Sequence, residues 1–391
     1  MTRTAIVLFT RDLRVHANPA LTAAAREADR VQPLFVLDDA LLRDAGANRR
    51  AYLAEALDDL AGSLGGLTIA RGETVAEAVK LARRLDARDV YLAEDASAFA
   101  KQREARLRRE LDVHAFPSTS IVEPGELRSS TGGHYRIFTP YWRAWQSVPR
   151  RPVLPRPRVQ LALDDDDRAP LSSRGASPGR QRGGESAARQ RLTRFVRTGL
   201  AGYDDARDDL AADATSRLSA DLHFGCLSPL EVAERTASSE SFVRQLCWRD
   251  FFLQLLDATP SLAYADQRRR RMPWVDDDEA LAAWREGRTG VPIVDAGMRQ
   301  LAEEGWMHNR ARLIVSSFLT KTLGLHWRHG ADHFAQLLVD GDVASNSGNW
   351  QWAAGTGNDP RPNRILNPLR QARRFDPDGD YVRRYVPELR Q

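Results

Sequence analysis

Short apolar runs alternate with longer stretches of helical periodicity along the first third of the chain. The apolar runs predict β-strands at residues 5–9, 31–37, 67–70, 89–92 and 113–116. The stretches between them predict helices at residues 18–28, 49–60 and 75–85. Alternation of this kind is typical of a parallel sheet covered by helices on both faces, so we expect an α/β domain with a Rossmann-like parallel sheet.

Helical periodicity dominates from Ala187 onward. The predicted helices cover residues 187–198, 230–236, 241–256, 279–285, 293–303 and 310–323. We therefore expect an all-α C-terminal domain over residues 187–391, preceded by the α/β domain over residues 1–130 and a connector over residues 131–186.

The connector shows little predicted structure. Regular secondary structure is expected to stop after Ser118, and the aromatic run at residues 135–142 is expected to pack the connector onto a domain. Residues 149–185 are rich in proline, arginine and glycine and include an acidic run at 164–167. Low apolar content over this length predicts a linker that is either wrapped on the surface or disordered.

Composition narrows the class of protein. A chain of 391 residues with 42% hydrophobic content can bury two cores. It has no apolar run of membrane-spanning length and no apolar signal core at its start, so we expect a cytoplasmic protein without a membrane segment. We also expect a monomer. The net charge of +4 permits nucleic-acid binding without establishing it. Cys226 and Cys247 match neither a disulfide framework nor a metal-site spacing.

Residues 340–352 form the most unusual stretch of the chain. Asp340 and Asp342 flank a glycine, small residues follow, and Trp350 and Trp352 end the run. The pattern is not that of an amphipathic helix or an alternating strand. Buried carboxylates need donor partners and indoles offer stacking faces, which together suit a large, flat, polar-edged cofactor or base. A polar turn before a core helix is the alternative.

Five motifs in order carry a resemblance to a known family. They are residues 340–352 together with Thr215-Ser216-Arg217-Leu218-Ser219, Trp248-Arg249-Asp250-Phe251, Gly305-Trp306-Met307-His308-Asn309-Arg310 and Asn367-Pro368. From about Thr4 to Leu389 the chain resembles the DNA photolyase/cryptochrome family, and most closely the cyclobutane pyrimidine dimer photolyases. The resemblance implies light-driven repair of UV-damaged DNA, in which excited, reduced FAD donates an electron to the dimer.

The resemblance also assigns flavin-binding residues. Asn346 would face the flavin N5, and Arg312 should pair with Asp340 because a buried carboxylate without a partner is expensive. The full implied set, with the pyrophosphate contacts first, is Tyr203, Thr215, Ser216, Arg217, Leu218, Ser219, Arg249, Trp306, Arg312, Asp340, Asp342 and Asn346.

On the substrate side, Trp248 and Trp352 would form apolar walls for a flipped dinucleotide. Further contacts to base edges would come from Gln245, Asn309 and Gln371, and contacts to phosphates from Arg310 and Arg364. The implied catalytic set is Gln245, Trp248, Asn309, Asn346 and Trp352. An arginine run at residues 268–271 is either a solvated face or an additional source of DNA affinity.

Two further features follow from the resemblance. Trp350, Trp327 and Trp274 match a family chain of three tryptophans that passes electrons to the flavin. The family's first domain carries an antenna chromophore, a folate or a deazaflavin. Residues 49–53 and Phe35 are similar to a deazaflavin pocket, which favours a deazaflavin, although Tyr52 and Leu53 could equally belong to the core.

The chain also departs from the family pattern. Gln245 stands where a glutamate is usual, Leu313 where a methionine is usual and Asn349 where a glycine is usual, and the sequence ends without the family's short tail. These changes place repair rate in question more than flavin binding. The alternatives are a (6-4) photolyase, a cryptochrome receptor, or a flavoprotein that has lost repair. Asn309 and Leu313 argue against a (6-4) photolyase, because that branch of the family usually has histidines at these two positions.

Overall fold

The computed structural model describes residues 2–162, 168–172, 174–269 and 273–389. The first domain contains the strands β1 (Thr4–Leu8), β2 (Arg30–Leu37), β3 (Thr68–Arg71), β4 (Asp89–Ala93) and β5 (Asp112–Phe116). They form one parallel sheet in the order β3-β2-β1-β4-β5. The helices are α1 (Pro19–Glu27), α2 (Asp39–Arg43), α3 (Ala47–Leu64), α4 (Thr74–Leu85) and α5 (Ala98–Leu107). The predicted α/β domain is confirmed, and each predicted strand end lies within one residue of the observed one.

Both faces of the sheet are buried, as expected for parallel strands between helical layers. Leu8 packs in a small core with Val75 and Leu81 of α4. Val7 and Phe9, on the opposite face of β1, belong to a larger apolar core that continues into the C-terminal half of the chain. The sheet domain and the helical domain are therefore joined by shared apolar packing.

The regular secondary structure described after β5 is helical. Its helices are α6 (Phe138–Ser147), α7 (Glu185–Thr198), α8 (Tyr203–Ala206), α9 (Ser219–His223), α10 (Pro229–Arg235), α11 (Glu240–Ala258), α12 (Asp278–Glu286), α13 (Pro292–Glu304), α14 (Asn309–Ser317), α15 (Trp327–Leu337), α16 (Val343–Ala354), α17 (Pro368–Phe375) and α18 (Asp380–Tyr385). Short 3₁₀ turns lie at Pro260–Ala263 and Pro387–Leu389, and α14 continues as a π-helical turn at Phe318–Thr322. The predicted all-α domain is confirmed.

Residues 340–352 adopt the alternative expected from the sequence, a polar turn followed by a core helix. They contain most of α16, which begins after Asp342, whose carboxylate accepts the backbone N–H of Ser345 at 2.9 Å. The helix is packed on most sides, so it shows little amphipathic pattern. Gly348 permits this packing, because a Cβ there would lie 2.3 Å from the ring of Phe252.

The prediction that regular structure stops after Ser118 is wrong, because α6 follows it. Tyr141 and Trp145 of α6 are buried, and the Trp145 indole donates to Asp250 of α11 at 2.9 Å. The same carboxylate accepts the backbone N–H groups of Ile121 and Val122, each at 3.0 Å. The aromatic run therefore fixes the start of the connector to the helical domain.

Beyond α6 the connector is wrapped on the surface of the sheet domain. It forms isolated bridges that pair Leu161 with Val31 and Arg168 with Ile69. The acidic run at residues 164–167 lies outside the described residues. Both cysteines are buried and free. None of the described helices is long and apolar enough to cross a membrane.

Candidate functional site

A cavity of about 400 Å³ opens among α9, α11, α14 and the start of α16. This volume lies within the usual range of ligand pockets, roughly 300 to 1,000 Å³. Its lining includes every predicted flavin-binding residue except Asn346, namely Tyr203, Thr215, Ser216, Arg217, Leu218, Ser219, Arg249, Trp306, Arg312, Asp340 and Asp342. Residues from five separate stretches of sequence thus line one cavity, which we call the main cavity.

The main cavity is rich in donors. Five arginines line it, at positions 207, 217, 249, 310 and 312. Among the described residues, the buried Oγ1 of Thr215 and Nε of Arg310 have no hydrogen-bond partner. Unpaired buried donors are costly, so these atoms indicate a polar or anionic ligand in this space.

Arg217 is held in an unusual conformation on the rim. Its φ of 52° lies in the left-handed region, where a non-glycine residue carries strain that is common at functional sites. Its guanidinium donates to Asp213 at 2.6 Å and to Glu304 at 2.7 Å, and lies 4.1 Å from the ring centroid of Trp306. The structure therefore gives Arg217 carboxylate partners of its own.

The predicted ion pair between Arg312 and Asp340 is present. Nη2 of Arg312 lies 2.8 and 3.1 Å from the two carboxylate oxygens, and its Nε donates to the carbonyl of Met307 at 2.8 Å. The Asp340 side chain is 3% exposed. The pair fixes one wall of the main cavity by joining α14 to the start of the 340–352 stretch.

Asp342 is paired with a residue of the other domain. Nη2 of Arg11, which follows β1, donates to Asp342 at 2.6 Å, and its Nη1 donates to Asp95 at 3.2 Å. Burial alone would raise the pKa of Asp342, but the guanidinium of Arg11 holds that pKa well below its ordinary value. His223 Nδ1 lies 3.9 Å from Asp342, too far for a hydrogen bond, and burial lowers the pKa of His223. Asp342 is therefore ionised at neutral pH.

Asn346 lies beside the main cavity in a smaller one of about 80 Å³. The two cavities share Asn309, Arg312 and Asp340 on their walls. The side-chain amide of Asn346 donates to the carbonyl of Ala331 at 2.9 Å, which fixes its orientation.

The predicted substrate residues are divided between two places. Trp248, Trp352 and Arg364 line a separate cavity of about 370 Å³, which we call the tryptophan cavity. Gln245 and Asn309 line the main cavity instead. Gln371 lies on α17 and lines none of the cavities described here. The structure therefore brings Trp248, Trp352 and Arg364 together and places Gln245 and Asn309 at the main cavity, and the roles of these residues in substrate binding stay predictions.

Two predicted DNA contacts already have partners inside the protein. Arg310 donates to Asp208 at 2.7 Å and lies 4.3 Å from the ring of Phe375. Arg364 lies 4.6 Å from the ring of Trp352, a cation–π distance. Of the arginine run 268–271, Arg268 donates to the carbonyl of Asp359 at 3.2 Å, and residues 270 and 271 lie outside the described residues.

The connector contributes residues that the sequence did not point to. Phe138 of α6 stacks on Trp248 with a centroid distance of 3.6 Å and an interplanar angle of 4°. Arg244 of α11 lies 5.4 Å from the Phe138 ring. The aromatic run at 135–142 was the available signal, but nothing in it indicated which surface it would cover.

The three predicted relay tryptophans lie around α15. Trp350 is 2% exposed, and a Cβ on Gly330 of α15 would lie 2.1 Å from its ring. Trp327 begins α15 and is fully buried. His326 lies between Trp327 and Trp274, with centroid distances of 5.9 and 4.7 Å.

A third large cavity, of about 340 Å³, lies at the carboxyl ends of β1 and β2. Ligands commonly bind at this edge of a parallel sheet. Phe35, Arg49, Arg50 and Leu53 line this sheet-edge cavity, whereas Tyr52 is buried and donates to Asp221. The sheet-edge cavity shares Asp342 and His223 with the main cavity.

Comparisons with known proteins agree with this arrangement. Residues 5–158 match the family model described as DNA photolyase, and residues 242–391 match the FAD binding domain of DNA photolyase. The deoxyribodipyrimidine photo-lyase of Streptomyces griseus is 48% identical, over 98% of this chain and 90% of that protein.

Two solved structures are similar over nearly the whole chain. A bacterial class III photolyase from Agrobacterium tumefaciens has a TM-score of 0.92 and 35% identity, and the match covers 100% of this chain and 87% of that one. An archaeal photolyase from Sulfolobus tokodaii, solved with two FAD molecules, has a TM-score of 0.87 and 31% identity, covering 99% and 91%.

Proposed function

This chain belongs to the DNA photolyase family, and we infer from that membership that it is a deoxyribodipyrimidine photo-lyase. It is a flavoprotein that acts on UV-damaged DNA and splits cyclobutane pyrimidine dimers under light. The observation that supports this function best is the main cavity, in which residues from five stretches of sequence supply donors suited to a dinucleotide cofactor.

The residues of the main cavity fit FAD. Thr215, Ser216 and Ser219 offer hydroxyls, and Arg217 offers a guanidinium, for the pyrophosphate. The Arg312–Asp340 pair and Arg249 would hold the isoalloxazine and ribityl groups. When bound and reduced, FAD supplies on excitation by light the electron that splits the cyclobutane ring.

The protein's own part in the reaction is positioning and exclusion of water. Trp352 and the face of Trp248 that Phe138 does not cover would stack against a dimer that has left the base stack, because enzymes that act on stacked bases must take them out of the duplex. Gln245 and Asn309, on the rim of the main cavity, offer amides for the base edges. Gln245 can donate and accept hydrogen bonds, but it cannot supply a proton as a glutamic acid could.

A deazaflavin antenna in the sheet-edge cavity completes the proposal. Its walls are mostly apolar, with Phe35 and Leu53 for a flat ring system and Arg49 and Arg50 for polar groups at its edge. The archaeal relative carries a second FAD, described as a novel light-harvesting cofactor, so a flavin is the competing occupant. Absorption and mass spectra of the chromophores released from purified protein identify the occupant. A folate would contradict this assignment.

The function is tested by illuminated repair of defined lesions. Protein with reduced FAD should restore an oligonucleotide with a single cyclobutane dimer in light and not in darkness. The (6-4) product should remain unchanged, because Asn309 and Leu313 provide no acid for its rearrangement. Repair of only the (6-4) product, or of neither lesion, would contradict the proposal. We expect the active species to be a monomer, which light scattering can check.

A further inference from the structure

The indole nitrogen of Trp327 has a carboxylate partner. Its Nε1 donates to Oδ1 of Asp266 at 2.6 Å. The Trp327 side chain is fully buried, whereas Asp266 is exposed and lies in the loop between the 3₁₀ turn at Pro260–Ala263 and Trp274. A hydrogen bond to a carboxylate is charge-assisted and strong. The buried ring therefore has one polar connection, directed toward the surface.

Trp327 also lies between the other two relay tryptophans. On one side His326 separates it from Trp274. On the other side Trp350 packs against α15 at Gly330, one helical turn from Trp327, where the missing side chain allows close approach. An electron that moves from the surface to the main cavity along these rings must pass through Trp327.

We propose that Asp266 accepts the indole proton of Trp327 when this tryptophan gives up an electron. The proposal rests on the proposed function, in which the three tryptophans reduce the flavin. Photoexcited oxidised flavin is the oxidant and takes one electron from Trp327 through Trp350. The N–H bond of Trp327 breaks with its electron pair left on nitrogen, and the proton forms an O–H bond on Asp266. The products on the chain are a neutral indole radical and a neutral carboxylic acid.

Geometry and burial both favour this transfer. An oxidised indole carries a positive charge, and an isolated charge in a buried apolar place is costly. The distance of 2.6 Å lies within the range for direct proton transfer. Because Asp266 is exposed, the proton can exchange with water afterwards. An external thiol, acting as a one-electron reductant by way of Trp274, restores Trp327, and Asp266 returns the proton.

Proton transfer would lengthen the lifetime of oxidised Trp327. The electron on the flavin can return to a protonated indole cation more readily than to a neutral radical, because return to the radical also requires the proton. Asp266 therefore lengthens the lifetime of the charge-separated state and gives the external reductant time to act.

Flash absorption spectroscopy of the protein with oxidised FAD tests the proposal. Wild type should show the deprotonated tryptophan radical, and recombination should be slower in D₂O. Asp266→Asn should show the protonated radical cation, and its charge recombination should be at least about tenfold faster. Tenfold corresponds to ~1.5 kcal/mol, the lower end of the range for hydrogen bonds to charged groups. Asp266→Glu should restore the wild-type signature.

Asp332→Asn is the matched control, because it removes the same charge from an exposed position of α15. It should behave as wild type. An unchanged radical spectrum and lifetime in Asp266→Asn would overturn the proposal. Dimer repair by chemically reduced enzyme should be normal in all variants. Failure of wild type in that assay would contradict the photo-lyase function instead, so the two failures can be told apart.

Discussion

Asp340→Ala should strongly weaken FAD binding. The Asp340 carboxylate bonds Nη2 of Arg312 through both oxygens, at 2.8 and 3.1 Å. Once the carboxylate is removed, the guanidinium keeps its bond from Nε to the Met307 carbonyl but loses its counter-charge. Arg312 would then be free to turn away from the wall of the main cavity, and its positive charge would be left without a partner in a partly buried place.

The magnitude follows from the exposure of the two partners. Removal of one member of a buried ion pair typically costs about 3 to 5 kcal/mol. The Asp340 side chain is 3% exposed but that of Arg312 is 25% exposed, so water can replace part of the lost interaction. We therefore use the lower end. If this cost falls on FAD binding, ~3 kcal/mol raises the dissociation constant about a hundredfold, since each 1.4 kcal/mol or so is tenfold.

The assay is a titration of apoprotein with FAD, followed by flavin fluorescence. Asp340→Asn keeps an acceptor oxygen without the charge and should show an intermediate loss. Asp332→Ala, at an exposed position of α15, is the control for general loss of an acid. Thermal unfolding of each apoprotein shows whether the fold is intact. A folded Asp340→Ala protein that binds FAD within threefold of wild type would refute the placement of the cofactor.

Three further predictions concern the tryptophans and Asp250. Trp350→Phe should block light-driven reduction of oxidised flavin while chemically reduced enzyme still repairs dimers; unchanged photoreduction would remove the relay hypothesis. Trp248→Ala should weaken binding of dimer-containing DNA by about one to two factors of ten, because base stacking is worth roughly 1 to 3 kcal/mol. Undamaged duplex should lose much less, and an equal loss on both DNAs in binding assays would contradict the wall assignment. Burial raises the pKa of Asp250 to about 6, so between about pH 4 and 6 this carboxyl is protonated in the folded protein but ionised in the unfolded chain. Its contribution to the unfolding free energy should therefore fall by ~1.4 kcal/mol per pH unit between about pH 4 and 6, and urea unfolding of Asp250→Asn should lack this slope.

The sheet was predictable because each strand has a local sequence pattern. The Arg312–Asp340 pair was predictable because a buried charge needs a partner of opposite charge. Each strand is a short apolar run, and a carboxylate buried beside a ligand requires a cation. The helix α16 was predicted only as an alternative, because the helix is buried on most sides and small residues such as Gly348 replace the usual apolar stripe. In helices of this kind, periodicity carries little information.

The arrangement of the substrate residues could not be read from the chain. Gln245 and Trp248 are three positions apart on α11, yet they line different cavities. The stacking of Phe138 on Trp248 joins the connector to a helix more than a hundred residues later. Such contacts depend on how the elements pack together, and a single sequence contains no local pattern for them.

The bond from Arg11 to Asp342 limits how the two halves of the molecule can be recombined. A chimaera that takes its sheet domain from one relative and its helical domain from another places the two ends of this bond in different parents. A parent without an arginine at this position would leave Asp342 as a buried carboxylate without its main counter-charge at the start of α16. Breakpoints in the connector should therefore be chosen for compatibility at this pair as well as for the length of the linker.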